Sequence, residues 1–238
     1  MPSQLLIFLL VAFGAEVVGT VTGFGATTIL LPVAALLYPL PQAIAYSALF
    51  HGLGTMWRSV FFARAVNWRI TLYFGLASLA FAYLGARLLP LVDPHIIAKL
   101  LGIVLILYAG YSLVKHRLYL PRGEIYLIGG GVLTGFLAGL IGTAGALRGA
   151  FLTAWKLPKR TYLGTGAVMG LGADLLRLVA YRQDGLLNVN QSLVLAFLLV
   201  ALGGTVIGVK LVKLESSQSF SRIVLVALIL AGIRFLLV

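Results

Sequence analysis

Arg148 sits in the apolar stretch GLIGTAGALRGAFL, three residues beyond Gly145. Its planar guanidinium can grip a sulfonate, sulfite or similar oxyanion through two parallel hydrogen bonds. The competing uses are a structural pair with an acid, or a side chain that snorkels to headgroups. Gly142, Thr143, Gly145 and Ala146 surround it in sequence. A related stretch, GTVTGFGATTILLP, contains Gly23, Gly25, Ala26, Thr27 and Thr28. Both stretches offer backbone N–H groups and hydroxyl donors. Glu16, with no cation next to it in sequence, could hold a proton or pair with Arg148, and His51 could titrate. Asp174 and Arg177 lie three apart and can pair on one helical face. Arg58 occupies a related place, so the two arginines have either a gating or a structural role.

Other chemistries find no support. The chain has no cysteine, which excludes disulfides, thiol catalysis and cysteine metal sites. No His, Asp or Glu cluster has metal-ligand spacing, and neither a nucleophile with its base nor a phosphate-binding loop is visible. No metal, cofactor, enzymatic activity or built-in ATP motor is therefore expected.

The elements that must position these residues are membrane helices. Of 238 residues, 61% are hydrophobic and 10% charged, against roughly 45–50% and about 25% in soluble domains. Mean hydropathy is +1.07. The 28 glycines fall largely inside apolar runs, where they let neighbouring backbones approach closely. The net charge of +12 sits mainly between apolar stretches, so the expected partner is the lipid bilayer and not nucleic acid. The start, MPSQLLIFLL, reads as a retained membrane segment. A multi-pass protein of the cell membrane is expected; oligomeric state is not legible.

Apolar stretches fall at 4–38, 42–63, 69–91, 96–114, 124–155, 161–181, 191–212 and 220–238. Six are read as single crossings, because a span needs about 20 residues. The first and fifth are longer and broken by small residues: Gly19, Gly23, Gly25 and Ala26 in one, Gly139, Gly142, Gly145 and Ala146 in the other. A break at membrane depth must be covered by protein or line a cavity. Each broken stretch is therefore expected to be a re-entrant hairpin whose second arm, 26–38 or 146–156, is too short to span.

An interval of 119, the difference between Gly142 and Gly23, also relates Pro158 to Pro39 and Arg177 to Arg58. Residues 1–118 and 119–238 are read as two inverted-topology repeats, each a broken hairpin plus three transmembrane helices, together forming one all-α membrane domain. Charge agrees with hairpins. They place Arg58, Arg64, Arg69, Lys115, Arg117, Arg122, Lys156, Lys159, Arg160, Lys210, Lys213 and Arg222 inside, and leave only Arg87, Lys99, Arg177, Arg182 and Arg234 outside. Trp57, Trp68 and Trp155 border the inner loops at headgroup depth, and both termini are expected outside.

A helix that begins at mid-depth presents free N–H groups and the positive end of its dipole, which favours an anion. The stretch GTVTGFGATTILLP, followed by PQAIAYSALFHGLGTMWRSVFF and echoed by GLIGTAGALRGAFL and TYLGTGAVMGLGADLLRLVAY, resembles the TauE/SafE sulfite exporter family over nearly the whole chain. The breaks depart from the family's fuller glycine pattern, reading GFGAT and GTAGA. The resemblance implies secondary active transport, most simply export, of sulfite, an organosulfonate or a related small anion; Glu16 and His51 are the candidates for a coupling proton, while the coupling ion itself is not legible. The alternative is a passive anion channel.

Overall fold

The computed structural model describes residues 2–114, 122–212 and 218–237. The described residues form helices and no strand: α1 (Pro2–Thr22), α2 (Ala26–Leu37) and α3 (Leu40–Phe61), then α4 (Trp68–Ile70), which continues through a π-helical stretch (Thr71–Gly75) into α5 (Leu76–Leu88), and α6 (Pro94–Val114). After these come α7 (Glu124–Ile141), α8 (Gly145–Ala154), α9 (Lys159–Gln183), α10 (Gln191–Leu211) and α11 (Gln218–Leu237). Lys115, Arg117, Lys213, both chain ends, the side chain of Arg222 and the boundary between residues 118 and 119 lie outside the described parts.

Local chemistry sets the helix starts. Pro39 and Pro158 precede α3 and α9 with nearly the same backbone, φ −52°, ψ 141° and φ −54°, ψ 144°; their fixed φ suits a helix entrance. The Asn67 and Asn190 side chains accept hydrogen bonds from Ile70 N (3.2 Å) and Leu193 N (2.8 Å), satisfying first-turn donors.

Among the described residues six helices are long and apolar enough to cross a membrane: Gln4–Thr22, Trp68–Leu91, Pro94–Tyr111, Glu124–Ile141, Lys159–Gln183 and Gln191–Leu211. This is a multi-pass membrane protein. The set differs from the expected six crossings. The helix expected over 42–63 is present as α3, but Gln42, His51 and Arg58 lower its hydropathy, because it faces protein more than lipid. In α11 only Leu228–Leu237 counts as an apolar helix among the described residues. Conversely α1 and α7, expected as arms entering to a break, have span length, with 21 and 18 residues. The arms after the breaks are short, 12 residues in α2 and 10 in α8, or about 18 and 15 Å at ~1.5 Å per residue.

Each short helix turns back along its predecessor. The Phe8 ring on α1 meets the edge of Tyr38, just past α2, at 6.0 Å. In the second half Arg122 Nε, ahead of α7, donates to Ala154 O at the end of α8 at 2.8 Å. Two glycine seams join elements distant in sequence. A Cβ on Gly131, Gly135 or Gly139 of α7 would collide with the carbonyl of Phe74, Ser78 or Ala82 along α5 and the stretch before it. On α10, a Cβ on Gly204 would lie 2.9 Å from Glu16 Cβ, and one on Gly208 would lie 2.5 Å from Thr20 Cβ, both on α1. Backbones this close need glycine, and they gain dispersion contacts that lipid cannot supply.

Contacts also sort the charged residues between the two ends of the bundle. Arg69 pairs with Glu124 at 2.7 Å, Lys159 Nζ donates to Val212 O at 3.0 Å, and Asn67 N donates to Thr165 Oγ1 at 2.9 Å. With Arg122 on Ala154, these tie Arg64, Arg69, Arg122, Lys156, Lys159, Arg160 and Lys210 into one basic end. At the other end Arg87 pairs with Asp184, and Tyr46 donates to Asn188 O at 3.2 Å. Of the tryptophans, Trp68 is exposed, Trp155 is half-buried, and Trp57 Nε1 donates to Leu198 O at 3.3 Å inside the bundle. Trp57 is thus a packing residue as well as a border one.

Candidate functional site

The site begins with the two breaks. Gly23 (φ 85°), Gly25 (φ 97°) and Gly142 (φ 78°) take left-handed backbone conformations that L side chains rarely adopt. Gly23 and Gly142, 119 residues apart, therefore turn the chain in the same way. Gly145 has no such need. A Cβ there would make ordinary contacts, 3.5 Å from Phe24 Cβ and 3.6 Å from Gly25 N, which places the start of α8 against the first break. The breaks also touch through hydroxyls: Thr28 and Thr143 at 3.0 Å, Thr27 and Thr143 at 3.4 Å.

Neither short helix has a side-chain cap, since Gly25 and Ala144 fill the N-cap positions. Helical bonding starts with Ile29 N on Gly25 O (2.9 Å) and Arg148 N on Ala144 O (3.0 Å). The N–H groups of Ala26, Thr27 and Thr28, and of Gly145, Ala146 and Leu147, precede those bonds and are the orphan donors of two adjacent helix starts. Two positive dipole ends brought together repel, and a negative charge between them relieves that.

Beside them is a cavity enclosing about 20 Å³, lined by Thr27, His51, Ser78, Thr134, Ala138, Gly142, Ala144, Gly145, Arg148, Ala173, Asp174 and Arg177. That is room for about one water. The Arg148 side chain is buried, and its guanidinium forms no hydrogen bond or ion pair among the described residues. Its guanidinium lies over Gly170, where a Cβ would be 2.8 Å from Nη1. Gly170 on α9 thus makes room for it, a role the sequence reading missed. Ser78 and Thr134 were also missed. They come from helices remote in sequence, and a lone hydroxyl residue in an apolar run gives no signal of where it points.

His51 and Asp174 form the densest part of the wall. Nδ1 of His51 lies 2.7 Å from Asp174 Oδ2, and Arg177 Nη2 lies 2.8 Å from Oδ1. The Thr55 hydroxyl is 3.0 Å from Oδ2 and equally close to the carbonyls of His51 and Gly52. A carboxylate only accepts, so Nδ1 carries the proton of that bond. The expected Asp174 and Arg177 pair is present, with His51 as a third member.

Glu16 lies away from this wall. It is fully buried, its Oε1 is 3.2 Å from Arg58 Nε, and it accepts from Thr205 Oγ1 (2.9 Å) and Thr20 Oγ1 (3.2 Å). Its cation is therefore Arg58, not Arg148; α3 carries Arg58 past α1, whereas Arg148 projects from α8. Glu16 Oε2 and Arg58 Nη2 remain without partners among the described residues. Arg58 also donates to Gly19 O (3.2 Å), as Arg177 does to Ala138 O (2.8 Å). Gly19 and Ala138 are again 119 apart. Gly23, Gly25, Ala26 and Ala146 belong to the breaks without lining the cavity, and Thr28 and Thr143 sit just behind Thr27.

The fold and site define a multi-pass helical membrane protein with a polar, basic cavity where two broken helical hairpins meet. The sequence pattern of the family described as Sulfite exporter TauE/SafE matches residues 8–235. The chain belongs to that family. It is also similar to a probable membrane transporter protein of Methanocaldococcus jannaschii, 26% identical over 161 residues that cover 59% of this chain and 58% of the relative. The chain thus matches little more than half the length of that relative. No solved structure matches it.

Proposed function

We propose that the protein is a membrane transporter that carries a small oxyanion, sulfite or an organosulfonate, by secondary active transport. The observation behind this reading is Arg148, a buried cation whose guanidinium has no ion-pair partner among the described residues, next to two uncapped helix starts. Such a charge in a low-dielectric interior is expensive unless an anion arrives to meet it. The Thr27 hydroxyl and the N–H groups at Gly145 would complete the cradle. Family membership and the name of the archaeal relative agree with a transporter.

Residues 1–118 and 119–238 act in this reading as inverted repeats, each with a re-entrant hairpin. The matching backbone at Gly23 and Gly142, the matching bonds of Arg58 and Arg177, and hairpins closed by Phe8 with Tyr38 and by Arg122 with Ala154 support it. Alternating access then moves packed groups of helices, each drawn from both halves, about a fixed site. A cavity of about 20 Å³ favours this over a passive channel, because the walls must part before an oxyanion enters.

The test is binding of sulfite, sulfate, thiosulfate, sulfoacetate and taurine to purified protein, followed by flux in proteoliposomes. Saturable binding of at least one anion and uphill accumulation under an imposed proton gradient are expected. Flux that only follows the anion's own gradient would mean a channel, and no binding of any of them would overturn the anion site.

A further inference from the structure

The buried charges do not balance. Among the described residues three buried guanidiniums, Arg58, Arg148 and Arg177, face two buried carboxylates, Glu16 and Asp174. Arg58 is matched by Glu16 at 3.2 Å and Arg177 by Asp174 at 2.8 Å, which leaves Arg148 as one uncompensated positive charge on the cavity wall. His51 shares that wall. Its Nδ1–H is committed to Asp174, so Nε2 holds the lone pair and is the atom that can take a proton.

From this geometry we infer that His51 matches the charge of the cargo: a monoanion binds with His51 neutral, and a dianion binds together with one proton, taken from water onto His51 Nε2. The inference rests on the anion site proposed above. With the cavity empty, a proton on His51 adds a second unmatched positive charge beside Arg148. With a monoanion bound, Arg148 is already neutralised and the proton is still unmatched. A dianion leaves one negative charge over, and the imidazolium cancels it. Protons balance as one dianion plus one proton giving the bound ion and a protonated His51, with no bond to the anion made or broken.

The groups around His51 do not supply the proton instead. Asp174 and Arg177 on α9 are engaged with each other, Arg58 and Glu16 are paired, and α8 presents Arg148. Thr27, Ser78 and Thr134 from α2, α5 and α7 do not titrate. Linkage makes the coupling reciprocal, so proton uptake on dianion binding requires that dianion affinity fall as pH rises. For one proton the fall is about tenfold per pH unit where His51 of the empty site is neutral.

The experiment is calorimetric titration of the purified full chain with methanesulfonate, a fixed monoanion, and with sulfate, a fixed dianion, in buffers of differing ionisation enthalpy. Sulfite itself titrates near neutrality and would obscure the proton count. One proton taken up per sulfate and none per methanesulfonate is expected. His51→Gln should abolish the uptake and weaken sulfate about tenfold or more at acidic pH, while any loss for methanesulfonate is the same at every pH. Should that variant fail to fold, the wild-type proton count decides alone. Sulfate binding without proton uptake, equal uptake for both anions, or methanesulfonate binding with sulfate excluded at every pH overturns the inference and leaves the anion site standing. Failure of both anions to bind folded protein overturns the site and this inference with it.

Discussion

Thr55 and Asp174 stand 119 residues apart and touch, the hydroxyl 3.0 Å from the carboxylate. The same interval separates Arg58 from Arg177 and the two glycine turns, so each is the other's counterpart in the proposed repeat. Under that proposal a residue in contact with its own counterpart would lie close to the axis relating the halves, and α3 packs against α9 at this contact. The cavity wall is built on this packing, which explains why so many of its charged groups come from these two helices.

Replacing Arg148 should separate binding from folding. No carboxylate among the described residues is ion-paired with its guanidinium, the Asp174 carboxylate being held by Arg177 at 2.8 Å, so Arg148→Ala should melt close to the parent in detergent. It should lose about 1.5–3 kcal/mol of anion affinity, typical of a hydrogen bond to a charged group, or roughly tenfold or more in Kd. Arg148→Lys should recover only part, since a point charge cannot reproduce the planar fork. Isothermal titration with the best-bound anion checks both, and parental affinity in Arg148→Ala would reduce the residue to a structural role.

The Glu16 and Arg58 pair should behave the opposite way. Removing one member strands the other in the interior, which costs about 3–5 kcal/mol, so Arg58→Ala should lower the melting temperature sharply. Glu16→Gln with Arg58→Met should regain most of it, because no buried charge is then left unpaired and the Gln amide oxygen can still accept from Thr20 and Thr205. Melting curves of the single and double variants report this, and a double variant no better than Arg58→Ala would contradict it.

Glycines should differ by position. Gly139→Ala pushes a methyl into the Ala82 carbonyl across the α5 and α7 seam and should cost about 1–3 kcal/mol, the range for overpacking. Gly25→Ala meets open space, but at φ 97° it should lose about 1–2 kcal/mol to backbone strain. Gly110→Ala, with no atom within 4 Å, should be neutral or gain up to about 1 kcal/mol in helix propensity. Comparing the three melting temperatures tests the order.

The chain contains no cysteine, which makes topology easy to probe. Single cysteines at Arg160 and Asn188 should label from opposite sides of the membrane, with position 160 reached only from the cytoplasm, as the basic end demands. Fusions at either chain end should report the same side as position 188. Labelling of 160 from outside would reverse the orientation.

Much of this was legible in sequence where the physics is local. Glycine in apolar runs located the breaks, because few other residues turn a chain left-handed there. The 119-residue interval linked Pro39 with Pro158, which precede α3 and α9, and spacing on one helical face foresaw Asp174 with Arg177. The pairings that crossed the chain were hidden: His51 reaches Asp174 over 123 positions, and Glu16 pairs with Arg58 where Arg148 was the cation expected. The apolar run over 42–63 found α3, but gave no sign of which neighbours its polar residues, His51 and Arg58, would meet. The distinction among glycines was invisible, because only the facing backbone shows that Gly139 is crowded and Gly25 is not.

The glycine seams bear on how the molecule could move. One joins α7 of the second half to α5 of the first, and the other joins α1 of the first to α10 of the second, with carbonyls resting where side chains would stand. Pulling residues 1–118 away from residues 119–238 as two blocks would tear both seams at once. A motion that spares them must carry α1 with α10 and α5 with α7, so the mechanical parts of this protein are chimaeras of its two halves, and the boundary in the sequence is not the hinge.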